Sequence, residues 1–167
     1  MKMTGRFKLS ILFVFTTFIT SLALADGERL AKDRPAAFQN ECGSCHVAFL
    51  PSFLTAAEWQ RIMGQLANHY GDNATLDEQN RQTIEQFLVR QAGRFAVGQN
   101  SGTEQSLPRL TTANWFKRKH HEVSSADWNH ANVKSPANCG ACHTRANEGS
   151  YREREIIMPD GRTWEDD

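Results

Sequence analysis

Neither sign of charge prevails in this sequence: 19 Lys and Arg stand against 19 Asp and Glu, for a formal net charge of zero over 167 residues. Without an excess of basic residues there is no polybasic surface of the kind that binds nucleic acid. Apolar residues (40%) and charged residues (23%) both lie near globular averages, which excludes a wholly disordered chain. Long apolar runs are missing beyond the N-terminus, so a polytopic membrane protein is excluded too. Strand-type alternation is weak and no long unit repeats, which leaves out solenoids and most β architectures. Cysteine and histidine are few, four and six respectively, so the place of each can be weighed.

The one apolar run, Leu9 to Leu24, follows Lys2, Arg6 and Lys8 and ends in Ala23-Leu24-Ala25 before Asp26. A basic start, an apolar middle and a small-residue end are the zones of a secretory signal peptide, with cleavage expected after Ala25. An uncleaved anchor is the alternative, but Ser10, Thr16, Thr17, Thr20 and Ser21 interrupt a run already short for a span. The remainder, residues 26–167, carries three more acids than bases. If it divides into two lobes of about 70 residues, each is marginal on its own and gains from a cofactor at its centre.

All four cysteines fall into two pairs, each followed by histidine: Cys42-Gly43-Ser44-Cys45-His46 and Cys139-Gly140-Ala141-Cys142-His143. Each reads as a c-type haem attachment site. Residues three apart share a face of a helical turn, so both thiols reach the two vinyl groups of one haem, and the adjoining histidine is placed to bind its iron. Two disulfides in an exported protein would leave those histidines unexplained. A zinc ribbon separates its pairs by about 15–20 residues; here 93 residues lie between Cys45 and Cys139. A thioredoxin-like pair calls for a strand-helix-strand setting that is not visible. The expected cofactors are two covalently attached haems c.

The second axial ligand of each iron separates electron carriers from enzymes and ligand binders. With His46 and His143 used as proximal ligands, His69, His120, His121 and His130 remain, with Met63 and Met158. For the first iron, Trp59, Ile62, Leu66 and His69 form an apolar stripe on a helix expected from about Thr55 to Tyr70, and His69 is the expected ligand. Met63 lies off that stripe and is the second choice; a thioether also fills gaps in a core. For the second iron, Phe116, His120 and Val123 share one face of a helical segment within 111–123, which selects His120. His121, about 100° round the helix, and His130, in a loop-like stretch, are the alternatives.

The rest of the chain sorts into short helices and turns. A helix is expected within 26–40, broken or begun at Pro35. A capping box is expected at Thr75 to Glu78, followed by a helix burying Ile84, Phe87, Leu88, Ala92 and Phe95 and ending near Gly98. Gly, Gln, Asn, Ser and Thr then mark a linker. The expected division is a signal peptide (1–25), an N-terminal haem lobe (26–98), a linker (99–110) and a C-terminal haem lobe (111–167), mostly α throughout. Ile156, Ile157 and Met158 are expected to pack on the second lobe, and the acidic end to be a solvated tail.

These features resemble the bacterial dihaem cytochromes c that donate electrons to a small monohaem, oxygen-binding c-type cytochrome. The stretches that carry the resemblance are Glu41 to Phe53, Glu58 to Asp77 with Trp59, His69 and Ala74-Thr75-Leu76-Asp77, Trp115 to His120, Lys134 to His143 and Gly149 to Pro159. The run Lys134-Ser135-Pro136-Ala137-Asn138 before Cys139 is more specific than an attachment site alone. The resemblance implies bis-histidine ligation of both irons, with His69 and His120 in the distal positions. It also implies a first lobe similar to a class I cytochrome c and a second, small irregular or helical haem lobe. Low potentials, a periplasmic location, an upstream electron donor and a monohaem c-type cytochrome as partner come with it. His121 and His130 match no ligand position of that family.

Two nitrogen ligands saturate a haem iron and favour outer-sphere one-electron exchange, so the expected function is a bis-histidine electron carrier rather than an enzyme. A dihaem peroxidase or reductase is the alternative; it needs an open or displaceable iron position, and His120 beside His121 makes one conceivable. A haem-based sensor is a third reading, without a fused signalling segment to support it.

Overall fold

The computed structural model describes residues 33–93 and 107–164. The expected signal segment, most of the expected linker, Phe95 and the acidic end (165–167) lie outside the described residues. The first half is organised by two helices whose starts are written locally. Helix α1 (Ala56–Met63) begins at Thr55, which closes a reciprocal capping box with Glu58: Thr55 Oγ1 accepts from the Glu58 amide at 3.2 Å, and the Thr55 amide donates to Glu58 Oε2 at 2.9 Å. Such a cap contributes about 1 kcal/mol. Helix α2 (Glu78–Arg90) begins at Asp77, whose side chain accepts from the Asn80 amide. The cap expected at Thr75 is therefore displaced by two residues, because Thr75 turns back to Asn73 Oδ1 through both its amide and its hydroxyl.

These helices pack on each other through Trp59, Ile62 and Met63 of α1 and Ile84, Phe87 and Leu88 of α2, joined by Phe38, Ala48, Leu50 and Leu54. Trp59 satisfies its indole by donating to the Pro51 carbonyl at 2.7 Å, as a buried N–H must. Phe38 belongs to a π-helical turn, Phe38–Cys42, and meets Phe87 at a ring separation of 5.0 Å. The helical segment expected ahead of the first attachment site thus runs into Cys42 itself. On the exposed face of α2, Arg81 bridges Glu78 and Glu85, and its hydrogen bonds hold the Glu78 carboxyl down at about 2.

Helix α1 stops at Met63, not near Tyr70 as the apolar stripe suggests. Gly64 caps it and a 3-10 turn, Leu66–Asn68, carries the chain onward. Met63 is buried in the core. At the far end of α2, the Gly93 amide donates to the Leu54 carbonyl, and a Cβ on Gly93 would stand 2.3 Å from the Ser52 carbonyl oxygen. Gly93→Ala is expected to force backbone apart there and cost about 1–3 kcal/mol. A holo-protein unfolding at the same midpoint as wild type would count against this tight approach.

The second half has less regular structure and a smaller apolar core. It comprises a 3-10 turn, Leu110–Thr112, then α3 (Asn114–Lys119) and α4 (Ser125–Trp128), and three further 3-10 turns at Cys139–Ala141, Ala146–Glu148 and Glu153–Glu155. Leu110, Ala113 and Phe116 form its buried cluster, with Trp115 and Trp128 against them. Phe49 and Phe53 from the first half pack on the same cluster, so the two halves meet along an aromatic seam. The Glu155 to Met158 run forms isolated bridges, His143 to Ile156 and Ile157 to Thr163, and Met158 is buried while Ile156 and Ile157 are half-buried. Ion pairs close the periphery: Arg145 with Glu148 and Glu155, and Arg162 with Asp127 and Asp160. The Arg162–Asp127 pair, at 2.5 Å, ties the C-terminal stretch to α4.

Candidate haem centres

Cys42 closes the π-helical turn and Cys139 opens the Cys139–Ala141 turn, so each cysteine pair begins on a locally helical stretch. All four thiols are free of disulfides. Burial pushes Cys42 and Cys139 up to about 11, with Glu41 adding to the effect at Cys42, and burial also raises Cys142. Among the described residues no three side chains of His, Cys, Asp or Glu converge into a metal cluster.

What the fold brings together instead is histidine in pairs. His46 and His69, 23 positions apart, place their ring centres 6.3 Å apart with planes inclined by 16°. His120 and His143, also 23 apart, lie at 6.1 Å with planes inclined by 78°. Two imidazole–metal bonds of about 2 Å each, plus the distance from each ring centre to its own nitrogen, add up to separations close to these. An iron in a porphyrin needs only two protein donors, since the macrocycle supplies the other nitrogens. Two facing histidines per attachment site, with no third ligand among the described residues, fit that requirement.

Burial disfavours the charged form of three of these rings, His69, His120 and His143. Burial lowers His69, His46 adds to the effect and Asp72 opposes it; burial lowers His120 against the hydrogen bond its ring donates to the Phe116 carbonyl; burial, then His120, brings His143 down to about 4. A neutral imidazole is the form that binds a metal. In each pair one ring is anchored through Nδ1, His46 on the Val47 carbonyl at 2.7 Å and His120 on the Phe116 carbonyl at 2.8 Å. That leaves Nε2 as the donor, the usual arrangement around a metal-bound histidine. In the other ring of each pair, His69 and His143, Nδ1 is buried without a hydrogen-bonding partner in the protein, which a folded protein rarely tolerates unless another group fills the space.

His69 reaches its place from a loop, not from the end of α1. Its amide donates to the Asp72 carbonyl at 2.7 Å and the Asp72 amide returns the bond at 3.2 Å; between them Tyr70 and Gly71 take positive φ, 56° and 110°. His120 is the C-cap of α3, one turn beyond Phe116, and its ring lies 4.0 Å from that of Phe116. His121 is exposed, its Nδ1 on the Arg118 carbonyl and its Nε2 3.6 Å from Glu122. His130 accepts the Asn132 amide through Nδ1. Of the three candidates, His120 is the one whose ring faces His143.

Sequence reasoning did not find the aromatic residues that link the two centres. His46 lies along Phe49 at 4.7 Å, Phe53 meets Trp115 at 5.1 Å and Tyr151 at 5.0 Å, and Tyr151 leans on His143 at 5.2 Å. Tyr70 donates to the Pro108 carbonyl while Arg109 sits over its ring at 4.8 Å. Phe49 and Phe53 adjoin the first attachment site in sequence, but their partners are about 60 to 100 positions away, and no local periodicity carries that information.

This chain is similar in sequence and fold to proteins already known. A family model for dihaem cytochrome c matches residues 38–151. The X-ray structure of a dihaem cytochrome type c from Shewanella baltica OS155 is 34% identical, with a TM-score of 0.65, over 78% of this chain and 97% of that one. Two structures of the dihaem cytochrome c of Rhodobacter sphaeroides are similar as well. One is 36% identical with a TM-score of 0.59, over 73% of this chain and 99% of that one. The other is 35% identical with a TM-score of 0.61, over 74% and 99%. No curated protein matches. With a family model over most of its length, relatives of the same helical fold and the cysteines to hold the cofactor twice, the chain belongs to the dihaem cytochrome c family and carries two covalently attached haems c.

Proposed function

We propose that this protein is a one-electron carrier whose two haem irons are each held by two histidines, His46 with His69 and His120 with His143. Cys42 and Cys45 hold the first haem, and Cys139 and Cys142 the second. The observation that carries this reading is the pairing itself: each attachment-site histidine faces one, and only one, histidine from elsewhere among the described residues. A haem iron supplies reversible exchange of a single electron between its ferric and ferrous states. The chain's contribution is to fill both axial positions and hold the four imidazoles by packing, so that little moves when the charge changes.

The partners are redox proteins, an upstream donor and a monohaem c-type cytochrome as acceptor, in the periplasm, after removal of residues 1–25. No helix among the described residues is long and apolar enough to cross a membrane. Lys117, Arg118 and Lys119 are exposed on the last turn of α3, next to His120, and offer positive charge to an acidic partner. Lys119 has Glu153 at 3.9 Å.

Adding carbon monoxide to the fully reduced holo-protein tests the reading. The expected result is an unchanged optical spectrum, because both axial positions of each iron are filled. A shifted haem band, showing ligand entry at either iron, would overturn it and favour the peroxidase or reductase reading.

A further inference from the structure

The two histidine pairs have the same chemistry and opposite orientation: 16° between planes in one, 78° in the other. Packing fixes both angles. In the first pair, His46 lies nearly parallel to Phe49, at 19°, with Nδ1 on the Val47 carbonyl. His69 is held by its two-way backbone bond to Asp72 and by Tyr70 standing across it at 73°. In the second pair, the Phe116 carbonyl pins one edge of His120, and the Phe116 ring, inclined by only 24°, fixes its plane. His143 leans on Tyr151 at 52°. Tyr151 is itself clamped edge-on against Phe53 at 75°, with its hydroxyl buried.

We propose that this packing makes the two irons electronically inequivalent, with Tyr151 and Phe116 as the positioning residues that hold the second pair crossed. The proposal rests on bis-histidine ligation and adds to it the orientation of the ligands. Orbital symmetry connects the angle to the electronic structure of the iron. The π orbital of an imidazole stands perpendicular to its ring. Two coplanar rings therefore act on the same one of the two iron dπ orbitals that face the axial ligands, and split them apart. Two crossed rings act on one each and leave the pair nearly degenerate. A low-spin ferric ion with well-split dπ orbitals gives a rhombic paramagnetic resonance signal with all its principal features resolved. Near-degeneracy retains orbital momentum, and the signal becomes highly anisotropic with its main feature at lower field.

Electron paramagnetic resonance of the fully oxidised holo-protein tests this. The expected spectrum holds one rhombic low-spin signal, from the His46–His69 iron, and one highly anisotropic low-spin signal, from the His120–His143 iron, in equal amounts. Two rhombic signals would overturn the proposal and leave bis-histidine ligation standing; a high-spin signal would overturn both. In Tyr151→Ala the wedge against His143 is gone, and the anisotropic signal is expected to move toward the rhombic form while the other is unchanged. Tyr151→Phe keeps the ring and is expected to keep the wild-type spectrum. An anisotropic signal that persists unaltered in Tyr151→Ala would remove Tyr151 from the positioning role. If Tyr151→Ala does not accumulate, the wild-type spectrum by itself still decides whether the irons differ.

Discussion

His69→Met is expected to raise one of the two reduction potentials by a substantial part of the roughly 0.8 V over which axial ligands tune haem, and to leave the other near its original value. A thioether in place of the second imidazole favours the ferrous state. The effect stays at one iron because each pair is built within its own stretch of chain: His69 faces His46, and the His120–His143 pair is held by Phe116 and Tyr151. Potentiometric titration of the variant, followed optically, measures both values. Equal displacement of the two potentials would mean that the pairs are not independent, and two unmoved potentials would remove His69 as a ligand. Met63, the other donor near this iron in sequence, is 3% exposed and packed inside the α1–α2 core.

Removing the second attachment site is expected to be more drastic. In the Cys139→Ala/Cys142→Ala variant one haem is lost, and the chain from about residue 107 onward is expected to lose its fixed structure. The reason is the scale of the core. The first half buries Phe38, Leu50, Trp59, Ile62, Met63, Ile84, Phe87 and Leu88 in one cluster, whereas in the second only Leu110, Ala113 and Phe116 cluster, with Val133, Ala146 and Met158 buried apart from them. A cluster of that size does not offset the conformational entropy of ordering about 60 residues. The exposed ion pairs around it add at most about 1 kcal/mol each. Intact mass reports the lost haem, and limited proteolysis reports the fold. A variant with one haem whose second half resists protease as wild type does would show that polar contacts suffice. The corresponding change at Cys42 and Cys45 is expected to spare more structure, because the α1–α2 packing does not depend on the haem alone.

The attachment pentapeptides were legible in the sequence because their chemistry is local. Two thiols on one haem and a histidine on its iron need neighbours in the chain, and five consecutive residues specify them. The same is true of the mostly helical character and of the buried set Trp59, Ile62, Ile84, Phe87 and Leu88, which follows from apolar spacing within a turn or two. The helix starts were harder. Thr75 and Thr55 both stand three residues ahead of a Glu, yet the Thr55 box forms and the Thr75 one does not, since Asn73 competes for the Thr75 amide and hydroxyl while Asp77 takes over the cap. The apolar stripe points to His69 for the wrong local reason. It lies not on a continued stripe of α1 but on a loop beyond Gly64, stabilised by the Tyr70-Gly71 turn.

Sequence alone determined which cofactor this chain takes, how many copies, and which histidine adjoins each pair of thiols, because covalent attachment is written in contiguous residues. At what angle each pair of histidines meets, and through which aromatic contacts the two centres meet, was decided only by the tertiary structure. Those relations join residues such as His46 and His69, or Phe53 and Tyr151, that are distant along the chain and brought together by the burial of their neighbours. The angle between two rings depends further on the side chains wedged against them, and no spacing along a chain encodes that.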